Sequence, residues 1–239
     1  MTMPTEPKGT VYLLHGLMRT QLSMAPLAVS LRRGGWRVRN CFYPSRSRTI
    51  EEHADRLLER IRRTSRPDEG PFHFVTHSLG GIVVRCALAR CEADQIPLSA
   101  PGRFVMIAPP NRGSPLARRL SGTLFWDAIF GRRAFHQLGD ESLADAWGTP
   151  PMRFGVIAGG RGDGRGWNPL LTGDDDGVVS VEDTHLPGES GHIVLRSIHA
   201  VLPWRQDCMR QVVSFLQSGR FATIPRDDAP MSKDRRTTR

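Results

Sequence analysis

The sequence has no apolar run approaching the ~20 residues needed to cross a bilayer. Met1 to Lys8 leads almost directly into Val11-Tyr12-Leu13-Leu14, without the charged segment and long apolar stretch of a secretory signal. Neither a membrane-spanning nor a secreted protein is expected. The four cysteines, Cys41, Cys86, Cys91 and Cys208, lack metal-ligand spacing. Cys86 and Cys91 fall in or beside one predicted helix, an unfavourable place for a disulfide. Reduced thiols in a cytoplasmic protein are expected. Lysine is almost missing: only Lys8 and Lys233 contribute to a Lys+Arg total of 33. The net charge of +9 is therefore arginine spread along the chain rather than a clustered stripe. Arg32-Arg33, Arg62-Arg63 and Arg118-Arg119 fall on predicted helices and read as solvated faces, so no nucleic-acid partner is expected. There is no internal repeat. The glycine-rich stretch 159–173 lacks the strand-to-helix setting of a phosphate loop, and its aspartates lack the spacing of a known calcium loop. No cofactor and no metal is expected.

What remains is an ordinary globular composition, 39% hydrophobic and 24% charged over 239 residues, enough for one sizeable core. Strand-like and helix-like segments alternate, which predicts an α/β fold: a mostly parallel twisted sheet with helices on both faces. Strands are expected at Thr10–Leu14, Trp36–Phe42, Phe72–Val75, Arg103–Ala108, Arg153–Ala158 and His192–Ser197. In the second, Trp36, Val38, Asn40 and Phe42 would share a face. Helices are expected at Leu22–Arg33, with Gly34-Gly35 as the stop, and from the capping box Thr49-Ile50-Glu51-Glu52 to about Thr64. The last helix is expected at Pro203–Gln217, before Gly219. The stretch 111–151 shows no strand pattern but carries many apolar residues, and reads as a small helical cap inserted above the strand ends. The domain would run from 10 to 219, between an N-terminal extension (1–9) and a disordered basic tail (220–239).

Val75-Thr76-His77-Ser78-Leu79-Gly80-Gly81 is the most informative stretch. A serine in a sharp turn between a buried strand and a helix is held in a strained conformation that exposes its hydroxyl. Small neighbours are required because the helix folds straight back. Gly80 and Gly81 meet that need, whereas Thr76 stands where the pattern G-x-S-x-G has its first glycine. A serine hydroxyl requires a base to take its proton and an acid to orient that base. Sites in open α/β sheets lie beyond the carboxyl ends of the strands. That rule favours His199, just past the last strand, over His192 at its start, and His185 is a weaker rival. His77 reads as packing beside the turn. For the acid, Asp163, Asp174, Asp175, Asp176 and Asp183 all follow the fifth strand. Asp176, before the turn Gly177-Val178-Val179, ranks first and Asp175 second. Backbone N–H groups of Leu79 and of Leu17, after His15-Gly16, are the candidate donors to an oxyanion. His15 reads as a buttress.

In this order, His15-Gly16-Leu17, Thr76 to Gly81, Asn111-Arg112-Gly113-Ser114, Asp176 to Val179 and Ser197-Ile198-His199 resemble the bacterial lipase and esterase branch of the α/β-hydrolases. The likeness spans residues 11–217. It departs at Asn111, where such lipases often carry histidine in T-P-H-R-G-S. The resemblance implies a Ser78–Asp176–His199 triad that cleaves carboxylic esters through an acyl-enzyme. The implied partner is a small-molecule acyl ester, and Leu116 to Leu138 suggests an apolar acyl group. A thioesterase, amidase or acyltransferase with the same triad, or a non-catalytic binding protein of the same fold, are the alternative readings.

Overall fold

The computed structural model describes residues 8–64, 70–93, 101–140 and 142–223. Residues 1–7 of the expected N-terminal extension and 224–239 of the expected tail lie outside them. Six strands form one wholly parallel sheet: β1 (Thr10–Leu14), β2 (Arg37–Cys41), β3 (Phe72–His77), β4 (Pro101–Ile107), β5 (Arg153–Gly160) and β6 (His192–Arg196). Their order is β2-β1-β3-β4-β5-β6. Leu14 pairs with Cys41 on one side and Thr76 on the other, and His77 pairs with Ile107. The carboxyl ends are thus nearly level, and the loops that leave them share one edge.

The alternation of a strand splits the core in two. Val11, Leu13, Val75, Val105, Ile107 and Ile157 join Leu27 and Leu31 of α1 (Ala25–Arg33) and Val212 and Phe215 of α8 (Gln206–Ser218). Tyr12, Leu14, Phe74, Phe104, Met106 and Val156 face the other way. They meet Leu57 and Ile61 of α2 (Ile50–Thr64) and Val83 and Ala87 of α3 (Leu79–Ala93). Strands apolar on both faces are what a parallel sheet covered by helices demands.

Local chemistry explains where elements start. The capping box forms as expected: the Thr49 amide donates to Glu52 Oε2 at 2.9 Å, and the Glu52 amide to Thr49 Oγ1 at 3.2 Å. The first helix begins later than expected. A 3₁₀ turn covers Gln21–Met24, and α1 starts at Ala25 with a proline in its first turn, where a missing N–H costs nothing. The last helix is corrected in the same way. Pro203 sits in a separate 3₁₀ turn, Leu202–Trp204, and extended Arg205 (ψ 137°) breaks the chain before α8. Gly219 closes α8 in the left-handed conformation, φ 74°. The second strand is shorter than expected: Trp36 and Phe42 flank β2, and Trp36 is buried whereas Phe42 is exposed, because the alternation ends with the strand at Cys41.

Among the described residues, 111–151 holds no strand. It forms α4 (Pro115–Leu120), α5 (Leu124–Phe130), α6 (Arg133–Leu138) and α7 (Ser142–Ala146). Gln137 of α6 fastens this segment to the start of α2: its Oε1 accepts from the Ile50 amide at 2.7 Å, and its Nε2 donates to Glu51 at 2.7 Å.

Candidate active site

Ser78 stands between β3 and α3 with φ 54°, a left-handed conformation that costs a non-glycine residue about 1–3 kcal/mol. The turn is held by the Ser78 amide, which donates to the Ile107 carbonyl at 2.9 Å, and by the Gly81 amide, which donates to the Ser78 carbonyl at 2.9 Å. Its neighbours must be small. A Cβ on Gly80 would lie 2.8 Å from the carbonyl oxygens of Leu14 and His15, and one on Gly16 would lie 3.0 Å from Ser78 Cβ. The threonine in place of the usual first glycine has a physical explanation. Thr76 Oγ1 lies 3.3 Å from where a Gly81 Cβ would be, so the bare backbone of Gly81 leaves the room that Thr76 fills.

His199 lies beyond β6, and its Nδ1 is 2.7 Å from Asp176 Oδ2. The other carboxylate oxygen, Oδ1, accepts the amides of Val178 and Val179 at 3.0 and 2.8 Å. The His199 amide donates to the Asp176 carbonyl at 2.8 Å. Gly159 lets this loop approach the sheet, since a Cβ there would lie 2.8 Å from Asp176 Cβ. The rival aspartates are occupied elsewhere. Asp175 is wholly buried and accepts the amides of Trp167, Asn168 and Gly177. Asp174 accepts those of Arg161 and Gly162, Asp163 pairs with Arg161, and Asp183 is bonded to Ser180.

Ser78 and His199 line one cavity of about 380 Å³. Its wall is largely apolar: Leu116, Leu120, Phe130, Phe135 and Leu138 come from the 111–151 segment, and Val178 and Val179 from the turn after Asp176. Leu17 lines it beside Ser78, on the loop after β1. Leu79, the residue after Ser78, opens α3, where helix geometry leaves the first amides unused. That the turn after Asp176 can hold its carboxylate is legible in the sequence; that Val178 and Val179 also line the cavity is not. Each holds Asp176 by its amide and presents its side chain to the cavity.

The remaining histidines sort clearly. His15 is buried, stacks on Tyr43 with ring centroids 4.4 Å apart, and accepts the Tyr43 amide at Nε2, so its Nδ1–H donates to the Gly16 carbonyl. Burial holds its imidazole below the usual range. It braces the loop that carries Leu17. His77 is buried, and its Nε2–H donates to the His199 carbonyl at 3.1 Å. Burial first, then the neighbouring His199, keeps His77 neutral, well below the usual range. His185 and His192 lie outside the Ser78 cavity and stack on each other at 3.8 Å. With Glu189 they are the one group among the described residues that offers three donor atoms within 4.8 Å to a metal ion. Each already has a partner, His185 with Glu189 at 2.7 Å and His192 with Thr184 at 2.9 Å.

Asn111, where the lipase pattern has histidine, is also placed away from the cavity. It is buried, its Nδ2 donates to the Thr184 carbonyl at 2.7 Å, and its carbonyl accepts from the buried Arg85 of α3 at 3.1 Å. The departure at this position therefore concerns the tie between two loops rather than the cavity wall.

No family model matches the sequence, and no curated protein matches it. Solved structures match its fold. The mature form of lipase BlEst2 from Bacillus licheniformis superposes with a TM-score of 0.64 at 19% identity, over 90% of this chain and 93% of that one. Phospholipase PlaB from Legionella pneumophila gives 0.63 at 17% identity, over 80% of this chain and 53% of that one, so this chain matches about half of PlaB. YbtT, a type II thioesterase of yersiniabactin biosynthesis, gives 0.55 at 14% identity, over 91% and 96%. Identities this low speak for architecture and not for substrate. The parallel sheet, the strained serine between its third strand and the following helix, and these likenesses agree: the chain has the α/β-hydrolase fold.

Proposed function

We propose that the protein is a serine hydrolase that cleaves carboxylic esters with an apolar acyl group. The observation that carries this reading is a single cavity bounded by a strained serine and by a histidine whose far nitrogen is bonded to a buried carboxylate. In this reading Ser78 Oγ attacks the acyl carbonyl while His199 takes its proton at Nε2. Asp176 fixes the tautomer and stabilises the imidazolium. The amides of Leu17 and Leu79 receive the developing oxyanion. Collapse breaks the ester bond, and the departing alcohol leaves with the proton from His199. Water then adds to the acyl-enzyme by the same route, releasing the carboxylic acid and restoring Ser78. This chemistry uses the chain's own groups throughout.

The 111–151 helices act as a cap whose inner side forms the acyl wall. Leu116 and Leu120 of α4 and Phe135 and Leu138 of α6, all on the cavity, support that role. Four buried cysteines that form no disulfide among the described residues support a reducing compartment. No helix among the described residues is long and apolar enough to cross a membrane.

The test is hydrolysis of p-nitrophenyl esters of graded chain length, with fluorophosphonate labelling beside it. The expected result is turnover that rises with acyl length to an optimum, and labelling that is lost in Ser78→Ala and His199→Ala. Equal turnover by the parent and Ser78→Ala, with no labelling, would overturn the reading. Parallel thioester and amide substrates identify the preferred bond.

A further inference from the structure

Among the described residues Arg19 is the only permanently charged one on the wall of the Ser78 cavity, whose remaining lining is mostly apolar, with Ser78, Ser114 and His199 as the polar members. A strained turn carries it. The Arg19 amide donates to the Gly16 carbonyl at 3.3 Å, and Met18 between them has φ 58°. The Met18 amide is pinned by the buried Ser45 hydroxyl at 3.1 Å. A left-handed methionine persists only where its surroundings impose it. The same turn holds Leu17, so one strained segment contributes both Leu17 and Arg19 to the lining of the Ser78 cavity.

Among the described residues no carboxylate pairs with the Arg19 guanidinium. Its charge is one of those that disfavour a proton on His77, whose ring lies 4.7 Å from that of His199. A substrate that brings its own negative charge supplies Arg19 with the counter-ion it lacks among the described residues. A guanidinium fork suits carboxylate and phosphate alike. The apolar wall comes from α4 and α6 and from the turn after Asp176, whereas Arg19 enters on the loop after β1 beside exposed Met18. The acyl wall and the cation are thus supplied by different segments of the chain.

We infer that Arg19 forms an anion subsite, and that the preferred substrates are esters of an apolar acid with an alcohol that carries a carboxylate or phosphate. This rests on the hydrolase reading above. Arg19 pairs with the anion of the alcohol portion, and Ser78 attacks the acyl carbonyl next to it.

The experiment compares three decanoyl esters at low ionic strength: of glycerol, of glycerol 3-phosphate and of glyceric acid. The parent is expected to favour the anionic pair by about tenfold or more in kcat/KM, equivalent to about 1.4 kcal/mol, mostly through KM. Arg19→Gln should abolish that preference and Arg19→Lys should retain part of it. Decyl phosphate should inhibit the parent competitively and Arg19→Gln far less, with melting temperatures reporting that each variant folds. The two anionic arms tell a phosphate-bearing alcohol from a carboxylate-bearing one. A parent that hydrolyses p-nitrophenyl decanoate through Ser78 yet treats all three esters alike would overturn the subsite and leave the hydrolase standing. If the parent turns over no ester, calorimetry with decyl phosphate decides the subsite alone. Binding lost in Arg19→Gln sustains it, and no binding to the parent overturns it.

Discussion

Asp176 holds His199 by two bonds at once: its carboxylate meets the ring nitrogen at 2.7 Å and its carbonyl accepts the His199 amide at 2.8 Å. The second bond survives loss of the carboxylate charge, so Asp176→Asn should keep the loop in place while presenting the wrong partner to the imidazole. We expect kcat on p-nitrophenyl esters to fall by about 10³–10⁴-fold with little change in melting temperature. Asp175→Asn should do the reverse. It weakens the acceptor of three loop amides and lowers the melting temperature more than it lowers kcat. Equal kinetic losses in the two variants would count against Asp176 as the orienting acid.

The elbow glycines should differ in tolerance. An alanine at Gly80 places Cβ 2.8 Å from two backbone oxygens, whereas at Gly81 the nearest atoms, Pro109 Cβ and Thr76 Oγ1, lie at 3.2 and 3.3 Å. Overpacking against backbone finds no side chain to move aside. Gly80→Ala is expected to cost about 1–3 kcal/mol or more, and Gly81→Ala clearly less. Chemical denaturation of both variants checks the order.

Arg85 is buried, and its guanidinium reaches the Asn111 carbonyl at 3.1 Å, Asn111 Oδ1 at 3.3 Å and the Gly148 carbonyl at 3.1 Å. Asn111 in turn binds the Thr184 carbonyl. Asn111→Ala removes one acceptor from a buried cation and leaves that carbonyl without its donor, for an expected loss of about 1–3 kcal/mol. Arg85→Met should lose more stability than Asn111→Ala, because Arg85 also ties down residue 148. Urea unfolding midpoints would show it, and an Asn111→Ala midpoint equal to the parent's would refute the bridging role.

Stability should fall as the solution is acidified from neutrality. Burial pushes His53 and His73 down to about 4 and His192 likewise to about 4, and holds His77 well below the usual range. In the unfolded chain these groups titrate near 6.5. Between those limits the unfolded state binds more protons, so unfolding is favoured progressively as the pH drops through 6.5 toward 4 and stability is fully present above 6.5. His73 is a suitable probe, since its Nδ1 accepts the Arg103 amide at 2.9 Å and glutamine offers an acceptor in its place. His73→Gln should show a shallower loss of melting temperature between pH 7 and 4.5 than the parent. Superimposable pH profiles would speak against it.

Much of this architecture is legible in the sequence, and the reasons are physical. Strands buried on both faces must be apolar, so the inner strands announce themselves as short runs such as Val11 to Leu14 and Phe104 to Ile107, whereas edge strand β2 shows only as an alternation of apolar residues with arginines. The start of α2 is legible because its cap is made by residues three apart, Thr49 and Glu52. Helix starts near Pro26 and Pro203 are less so, because a proline fits the first turn of an α-helix or a 3₁₀ turn equally well. At the site, Ser78 is marked by its own neighbours. Asp176 is not marked in the same way, because Asp163, Asp174, Asp175 and Asp183 stand in the same kind of loop. Only the tertiary arrangement assigns four of them to loop amides, hydroxyls and cations and leaves one facing His199. Arg19 carried no signal beyond its place two residues after Leu17. Its meaning comes from the apolar walls contributed by helices about a hundred residues away.

The accommodation between Thr76 and Gly81 also constrains how such a chain can change over generations. With threonine at 76, any larger residue at 81 meets its hydroxyl, whereas a glycine at 76 would relieve that conflict. The two positions are therefore epistatic, and the order of substitution matters. Trading the threonine for something smaller removes one of the two close contacts at position 81, the other being Pro109 Cβ at 3.2 Å. Homologues with glycine at the first of these sites should tolerate alanine at the second more often than those that keep threonine, so a signature written around the serine works better as a pair of linked alternatives than as one fixed string.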